Sequence, residues 1–136
     1  MAREPGSPLA RSSRDLVEAA DQVVPPLPLA EAAALLGDES VLFVDIREPK
    51  ELDRLGMIPG AYSAPRGMLE FWVDPESPYD KPALDDGRTL VLYCGSAWRS
   101  ALAAATLHDM GRDDVVHLEG GFSAWTTAGL PVEQVP

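Results

Sequence analysis

The 136-residue chain contains one cysteine, Cys94, which opens the segment CGSAWRS directly after the apolar run TLVLY. Three small residues follow it, Gly95, Ser96 and Ala97, and then come Trp98 and Arg99. Small residues let a backbone curl tightly, so that successive N–H groups converge on one point. A helix is expected from residue 99 to 110, and its positive N-terminal pole would face the same point. Arg99 adds a permanent charge on a planar donor fork. One short segment thus brings together a thiol, a nest of amide donors, a helix pole and an arginine. Positive surroundings favour the thiolate, the nucleophilic form of cysteine. A thiolate prepared in this way needs no histidine beside it, and none stands near this loop in the sequence. The same donors could hold an oxyanion or the outer sulfur of a persulfide. The competing reading is a lone cysteine packed as a core residue. The tight loop and the arginine favour the nucleophile.

Other residue types offer less. A single cysteine cannot form an internal disulfide or a multi-cysteine metal site. The histidines, His108 and His117, are not spaced as a metal motif requires, so neither a metal nor another cofactor is expected. His108 falls in mid-helix and His117 in a strand, and both read as structural. Glu48 and Glu51 read as solvated helix residues, and no paired-carboxylate chemistry is suggested. Asp45 and Arg47 follow an apolar strand, where they could support the site or form a structural ion pair. Arg66 could bring charge to the pocket rim, with Phe71 and Trp72 as an apolar wall. The alternative is a surface arginine beside two core aromatics. Trp125 reads as core.

The elements that must position Cys94 alternate between strand and helix. Val41 to Ile46 and Thr89 to Tyr93 are continuous apolar runs, as in strands buried on both faces. Val115 to Leu118 reads as a third strand, and a short one is possible within residues 61 to 64. Helices are expected over residues 13 to 24, with Ser13 as N-cap and Pro25 and Pro26 as stop, and over LAEAAALLG, closed by Gly37. Further helices are expected in EPKELDRLG, GMLEFWV, SALAAATLHDMG and FSAWTTAG. Residues 74 to 87 are polar and proline-rich and read as a surface excursion. Residues 1 to 12 read as a flexible tail, and 13 to 136 as a single α/β domain, the helix at 13 to 24 being an N-terminal extension. Strands alternating with helices imply a mainly parallel sheet flanked by helices on both faces. Ligands of such sheets collect beyond the carboxyl ends of the strands, which is where Cys94 stands.

Eleven basic residues face twenty-two acidic ones, a net charge of -11. That balance argues against nucleic acid and anionic membranes as partners. An anionic substrate would need a local positive site set against the global field. No apolar run approaches the roughly 20 residues needed to cross a bilayer, and the first residues lack the apolar stretch of a secretory signal, so a cytoplasmic location is expected.

Four segments together resemble the rhodanese homology domain: VDIREPKEL (Val44 to Leu52), GMIPGA (Gly56 to Ala61), CGSAWRS (Cys94 to Ser100) and LEGGFSAWTTAGLPV (Leu118 to Val132). The resemblance runs from about Pro28 to Val135. It implies a rhodanese-like sheet of about five strands and a sulfurtransferase activity. Cys94 would attack the outer sulfur of a donor anion such as thiosulfate and carry that sulfur as a persulfide. Cyanide, a thiol or a sulfur-accepting protein would then remove it. The amides of Gly95, Ser96, Ala97, Trp98 and Arg99 would cradle the sulfur, and Arg99 would help bind the donor. Asp45, Arg47 and Gly60 match positions near the pocket. Met57 stands where the family's second signature has histidine, and Ala97 where many loops have glycine. Trp98 would narrow the mouth and the range of donors. Two alternatives remain: a relay or partner-binding module with little turnover of its own, and a cysteine phosphatase, which uses a longer loop between its cysteine and arginine. Retention of Cys94 and Arg99 speaks against an inert module.

Overall fold

Cys94 owes its place to two strands whose residues are apolar on both faces. The computed structural model describes residues 2–135. Its strands are β1 (Val41–Asp45), β2 (Tyr62–Ser63), β3 (Thr89–Tyr93) and β4 (Val115–His117). Its α-helices are α1 (Ser13–Val23), α2 (Leu29–Ala34), α3 (Pro49–Leu55), α4 (Leu69–Val73), α5 (Trp98–Asp109) and α6 (Gly121–Thr127), with short 3-10 turns at Arg66–Met68 and Pro82–Leu84. The strands run parallel in the order β2-β1-β3-β4. Leu42, Val44, Leu90 and Leu92 face one side and pack with Leu69, Val73, Ala103, Ala104 and Leu107 of α4 and α5. Phe43, Val91 and Tyr93 face the other, where Ala32 of α2 and Phe122 and Trp125 of α6 close the core. The period of two along each strand thus divides one sheet between two apolar layers. The expected α/β architecture with helices on both faces is the observed one.

The sheet has four strands among the described residues rather than about five. In place of a fifth strand there is a single parallel bridge, Leu27 to Leu118. Leu27 N donates to His117 O at 2.8 Å, and Glu119 N donates to Leu27 O at 3.0 Å. Pro25, Pro26 and Pro28 surround Leu27 and have no N–H to extend the ladder.

The start of α1 also differs by one residue. Ser12, not Ser13, is the N-cap, because Ser12 holds the extended backbone that a cap requires. Its Oγ accepts from Asp15 N at 3.0 Å, and Asp15 Oδ2 accepts from Ser12 N at 2.9 Å, a reciprocal capping box. Val17 and Ala20 of α1 pack on Ala101 of α5, with Leu102 and Ala105 beside them. α1 therefore forms an outer layer over the helix that follows Cys94. No helix among the described residues is long and apolar enough to cross a membrane.

The proline-rich excursion at 74 to 87 is anchored rather than purely superficial. Leu84 is fully buried, and its carbonyl accepts from Arg112 Nη1 at 2.8 Å. Leu84→Ala should cost about 3 kcal/mol of unfolding free energy, the usual size for a buried leucine truncation. Urea denaturation checks this; a cost under about 1 kcal/mol would mean the excursion is not held by this side chain.

Candidate active site

The Cys94 loop is fastened by its carbonyls. Phe122 N donates to Cys94 O at 2.8 Å, and Ser123 N donates to Gly95 O at 3.0 Å. Every peptide bond in the described chain is trans, so each N–H opposes the carbonyl of its own peptide unit. The amides of Gly95 and Ser96 therefore point away from α6. This approach of α6 to the loop depends on Gly121. Its φ is +64°, and a Cβ there would lie 2.7 Å from Gly95 O and 2.8 Å from Cys94 O. Ala97 then turns the chain into α5 with φ at +73°, the one left-handed non-glycine among the described residues. That conformation costs an alanine about 1 kcal/mol, which explains why glycine suits this place in the loop.

From Gly95 to Ser100, six consecutive amides donate to no acceptor among the described residues. The start of α5 likewise carries no side-chain cap. Unpaired N–H groups at a helix start form a receptor for negative charge. Cys94 lies at the base of this loop and is only 1% exposed, whereas Ser96 and Trp98 are exposed above it. Cys94 is thus buried, and it packs with Leu92 and Ala103 in one of the apolar layers.

The arginine of the loop is already engaged. Arg99 Nη1 donates to Glu51 Oε2 at 2.8 Å and Nη2 to Glu51 Oε1 at 2.9 Å, so the fork closes on a carboxylate of α3. Glu51 also accepts from Glu48 N at 2.8 Å and so caps α3. The Arg99 hydrogen bonds hold the Glu51 carboxyl at about 2, against a weaker opposing effect of burial. Glu51 is thus no mere solvated helix residue. Nothing in the local sequence signals this contact, which spans 48 positions.

Asp45 and Arg47 form a buried pair against the Phe122 ring. Arg47 Nη2 donates to Asp45 Oδ2 at 2.7 Å and to Gly56 O at 2.7 Å, all within the buried interior. The guanidinium carbon lies 4.2 Å from the centre of the Phe122 ring, below the amide that holds Cys94 O. Gly60 is exposed and donates to Glu133 Oε1 at 3.0 Å. Met57 is buried and pairs with the C-terminal segment through two backbone hydrogen bonds to Glu133, each 2.9 Å. Arg66 pairs with Glu70 and lines a groove with Leu16, Ala19 and Val23 of α1 and Leu102 of α5; no residue of the Cys94 loop lines that groove. Phe71 is exposed, and Trp72 packs against the core under Lys81, so the two do not pair as an apolar wall.

Three polar residues that the sequence leaves unremarked or reads as structural form a hydrogen-bonded series that ends at the sulfur. Ser100 Oγ lies 3.6 Å from Cys94 Sγ and 3.2 Å from His117 Nδ1, and His117 Nε2 lies 2.9 Å from Asp21 Oδ1. Ser100 and His117 are fully buried. Burial pushes the His117 imidazole below its ordinary range, with Asp21 pulling the other way. His117 stands 23 positions from Cys94, and strand pairing brings it near, because its register partner Leu92 lies just before the loop. A buried histidine on an otherwise apolar strand was the available signal. His108, by contrast, accepts its expected structural part, with Nε2 3.0 Å from Val115 O.

Residues 28–128 match the profile of the rhodanese-like domain family. An uncharacterized Synechocystis protein is 42% identical over 94 residues, 68% of this chain and 47% of that one. A sulfurtransferase of Allochromatium vinosum is 40% identical over 98 residues, 72% of this chain and 83% of that one. The chain therefore spans about half of the first relative and most of the second. Among solved structures, a Rhodopseudomonas palustris protein of unknown function, described as a possible tyrosine phosphatase, is 45% identical with a TM-score of 0.90, covering 96% of this chain and 100% of that one.

Two outcomes test this geometry. Gly121→Ala should cost at least about 2 kcal/mol in urea denaturation, because the new Cβ meets backbone oxygens that cannot move independently. A variant as stable as the parent would disprove the close approach. The Glu51 carboxyl, depressed in the fold, contributes stability that is fully present above the ordinary carboxylate range and is lost as pH falls towards 2. Glu51→Gln should therefore lose less stability on acidification than the parent; parallel stability–pH curves would disprove the pairing.

Proposed function

Because the chain belongs to the rhodanese-like domain family, we propose that it is a sulfurtransferase in which Cys94 carries one sulfur atom as a persulfide. The observation that supports this reading most strongly is the run of amides from Gly95 to Ser100, directly after Cys94, that meet no acceptor among the described residues. Such a receptor suits a compact anionic sulfur species. The thiolate attacks the outer sulfur of a donor anion such as thiosulfate. A bond forms between Cys94 Sγ and that sulfur, the bond to the sulfite group breaks, and sulfite leaves with the electron pair. The negative charge then rests on the outer sulfur of the persulfide, to which the amides of Gly95, Ser96, Ala97, Trp98 and Arg99 donate. Cyanide, a thiol or a sulfur-accepting protein takes that sulfur and restores the thiolate. No cofactor enters the cycle. A reducing cytoplasm suits an enzyme that must keep its thiol unoxidised.

Arg99 gives the site its local charge within an acidic molecule, although Glu51 shares it. A donor anion competes with Glu51 for the same fork. Arg66 faces the α1 groove, and we give it no part in donor binding.

The description of the Rhodopseudomonas palustris neighbour raises phosphate-ester hydrolysis as a second reading. The short loop between Cys94 and Arg99 favours a single sulfur atom over a whole phosphate group. Thiosulfate followed by cyanide should yield thiocyanate with the parent protein and none with Cys94→Ser. Mass spectrometry should find one added sulfur on Cys94 after thiosulfate alone. Hydrolysis of p-nitrophenyl phosphate with no thiocyanate would replace this reading by the phosphatase. Arg99→Ala should raise the thiosulfate KM about tenfold, the weight of one charge-assisted contact.

A further inference from the structure

The hydrogen-bonded series Asp21–His117–Ser100–Cys94 has no place in the sulfur-transfer chemistry described so far, yet it ends on the reacting atom. We propose that Ser100 and His117, positioned by Asp21 of α1, form a relay that accepts the Cys94 thiol proton and so prepares the thiolate. The inference rests on Cys94 being the nucleophile. It adds a base that the loop amides do not supply.

Hydrogen-bonding roles follow from the end of the series. A carboxylate only accepts, so Asp21 Oδ1 at 2.9 Å requires the hydrogen on His117 Nε2. In the neutral imidazole Nδ1 is then the acceptor. Nδ1 lies 3.2 Å from Ser100 Oγ, and the serine hydroxyl donates to it. A lone pair of Ser100 Oγ is left for the thiol hydrogen of Cys94, 3.6 Å away. Every step runs in one direction, from sulfur to imidazole.

Proton transfer reverses the two bonds between sulfur and imidazole, keeps the third, and leaves no polar group unpaired. The S–H bond breaks and its proton joins Ser100 Oγ. The hydroxyl proton of Ser100 moves to His117 Nδ1. Ser100 then donates to the thiolate, and imidazolium Nδ1–H donates to Ser100. Nε2–H remains on Asp21, whose charge now balances the imidazolium. One proton has left sulfur and one has reached nitrogen.

The surroundings concentrate this effect. Ser100 and His117 are fully buried, while the Asp21 side chain is 33% exposed and meets solvent at the far end. Asp21 is the one charged residue acting on His117 among the described residues; β3 meets it with Leu92 and α5 with Ser100. Burial holds the imidazole neutral, as a base must be before it acts, and Asp21 opposes that effect and favours the charged form that results. Asp21 also lies outside residues 28–128, so the relay gives α1 a chemical role beyond its packing on α5.

The test reads ionisation directly and needs no sulfur transfer. Ultraviolet thiolate absorbance of the full chain is recorded against pH, with Cys94→Ser as blank, for the parent, Asp21→Asn, Ser100→Ala and the double variant. Asp21→Asn should lower the thiolate signal at neutral pH about threefold or more, with full amplitude regained in alkali. Ser100→Ala should do the same, and the double variant should be no worse than Ser100→Ala alone. A carboxylate acting only through space would give the opposite sign, since its removal would increase the thiolate. An increase, or an unchanged curve, in Asp21→Asn overturns the relay. Circular dichroism monitors folding, and Ser100→Ala decides alone should Asp21→Asn not fold. If the curves behave as expected but no thiocyanate forms, the relay stands and the sulfurtransferase reading fails.

Discussion

Two hydrogen bonds from the start of α6 to the carbonyls of Cys94 and Gly95 govern the site. A planar trans peptide cannot turn its oxygen one way without turning its N–H the other. Fixing those oxygens on α6 therefore decides where the following amides look. The strength of a hydrogen bond is secondary to this geometric consequence. The Asp45–Arg47 pair beneath Phe122, the bare Gly121 and the left-handed Ala97 all serve the same placement. A buried ion pair of this kind is seldom a large net stabiliser. Here its guanidinium lies against the Phe122 ring, whose own backbone N–H holds Cys94 O.

Much of this was legible in the residues. The runs VLFVD and TLVLY became the central strands, and the small residues after Cys94 became the unpaired-amide loop. Gly111 and Gly129 follow the caps of their helices in left-handed conformation, as their positions suggested, whereas α2 stops at Ala34, before the expected Gly37. What escaped notice was non-local. The Glu51–Arg99 pair and the approach of Asp21 to His117 join positions 48 and 96 apart. No periodicity carries that information, because it arises only when parallel strands set distant segments side by side. The fifth strand failed for a local reason visible in the sequence, the prolines around Leu27. The Ser12 cap likewise turned on backbone conformation, since adjacent serines are chemically equal candidates.

Charge in this molecule is arranged on two scales. The chain as a whole carries -11, a field that repels anions. After Cys94 the amides of residues 95 to 100 meet no acceptor among the described residues and add the positive ends of dipoles rather than full charges. Arg99 is tempered by Glu51, so the mouth presents a shared cation rather than a bare one. This combination favours short-range contact with a small anion over long-range attraction.

The sheet also ends in an instructive way. At one margin β2 is only two residues long, and at the other the single Leu27 bridge is hemmed by Pro25, Pro26 and Pro28. An open strand flank is a template on which copies of a protein can stack. Here one margin strand is two residues long, and the other margin is met by prolines that have no N–H to give an added strand. Prolines at that margin thereby work against the stacking of a further strand on it.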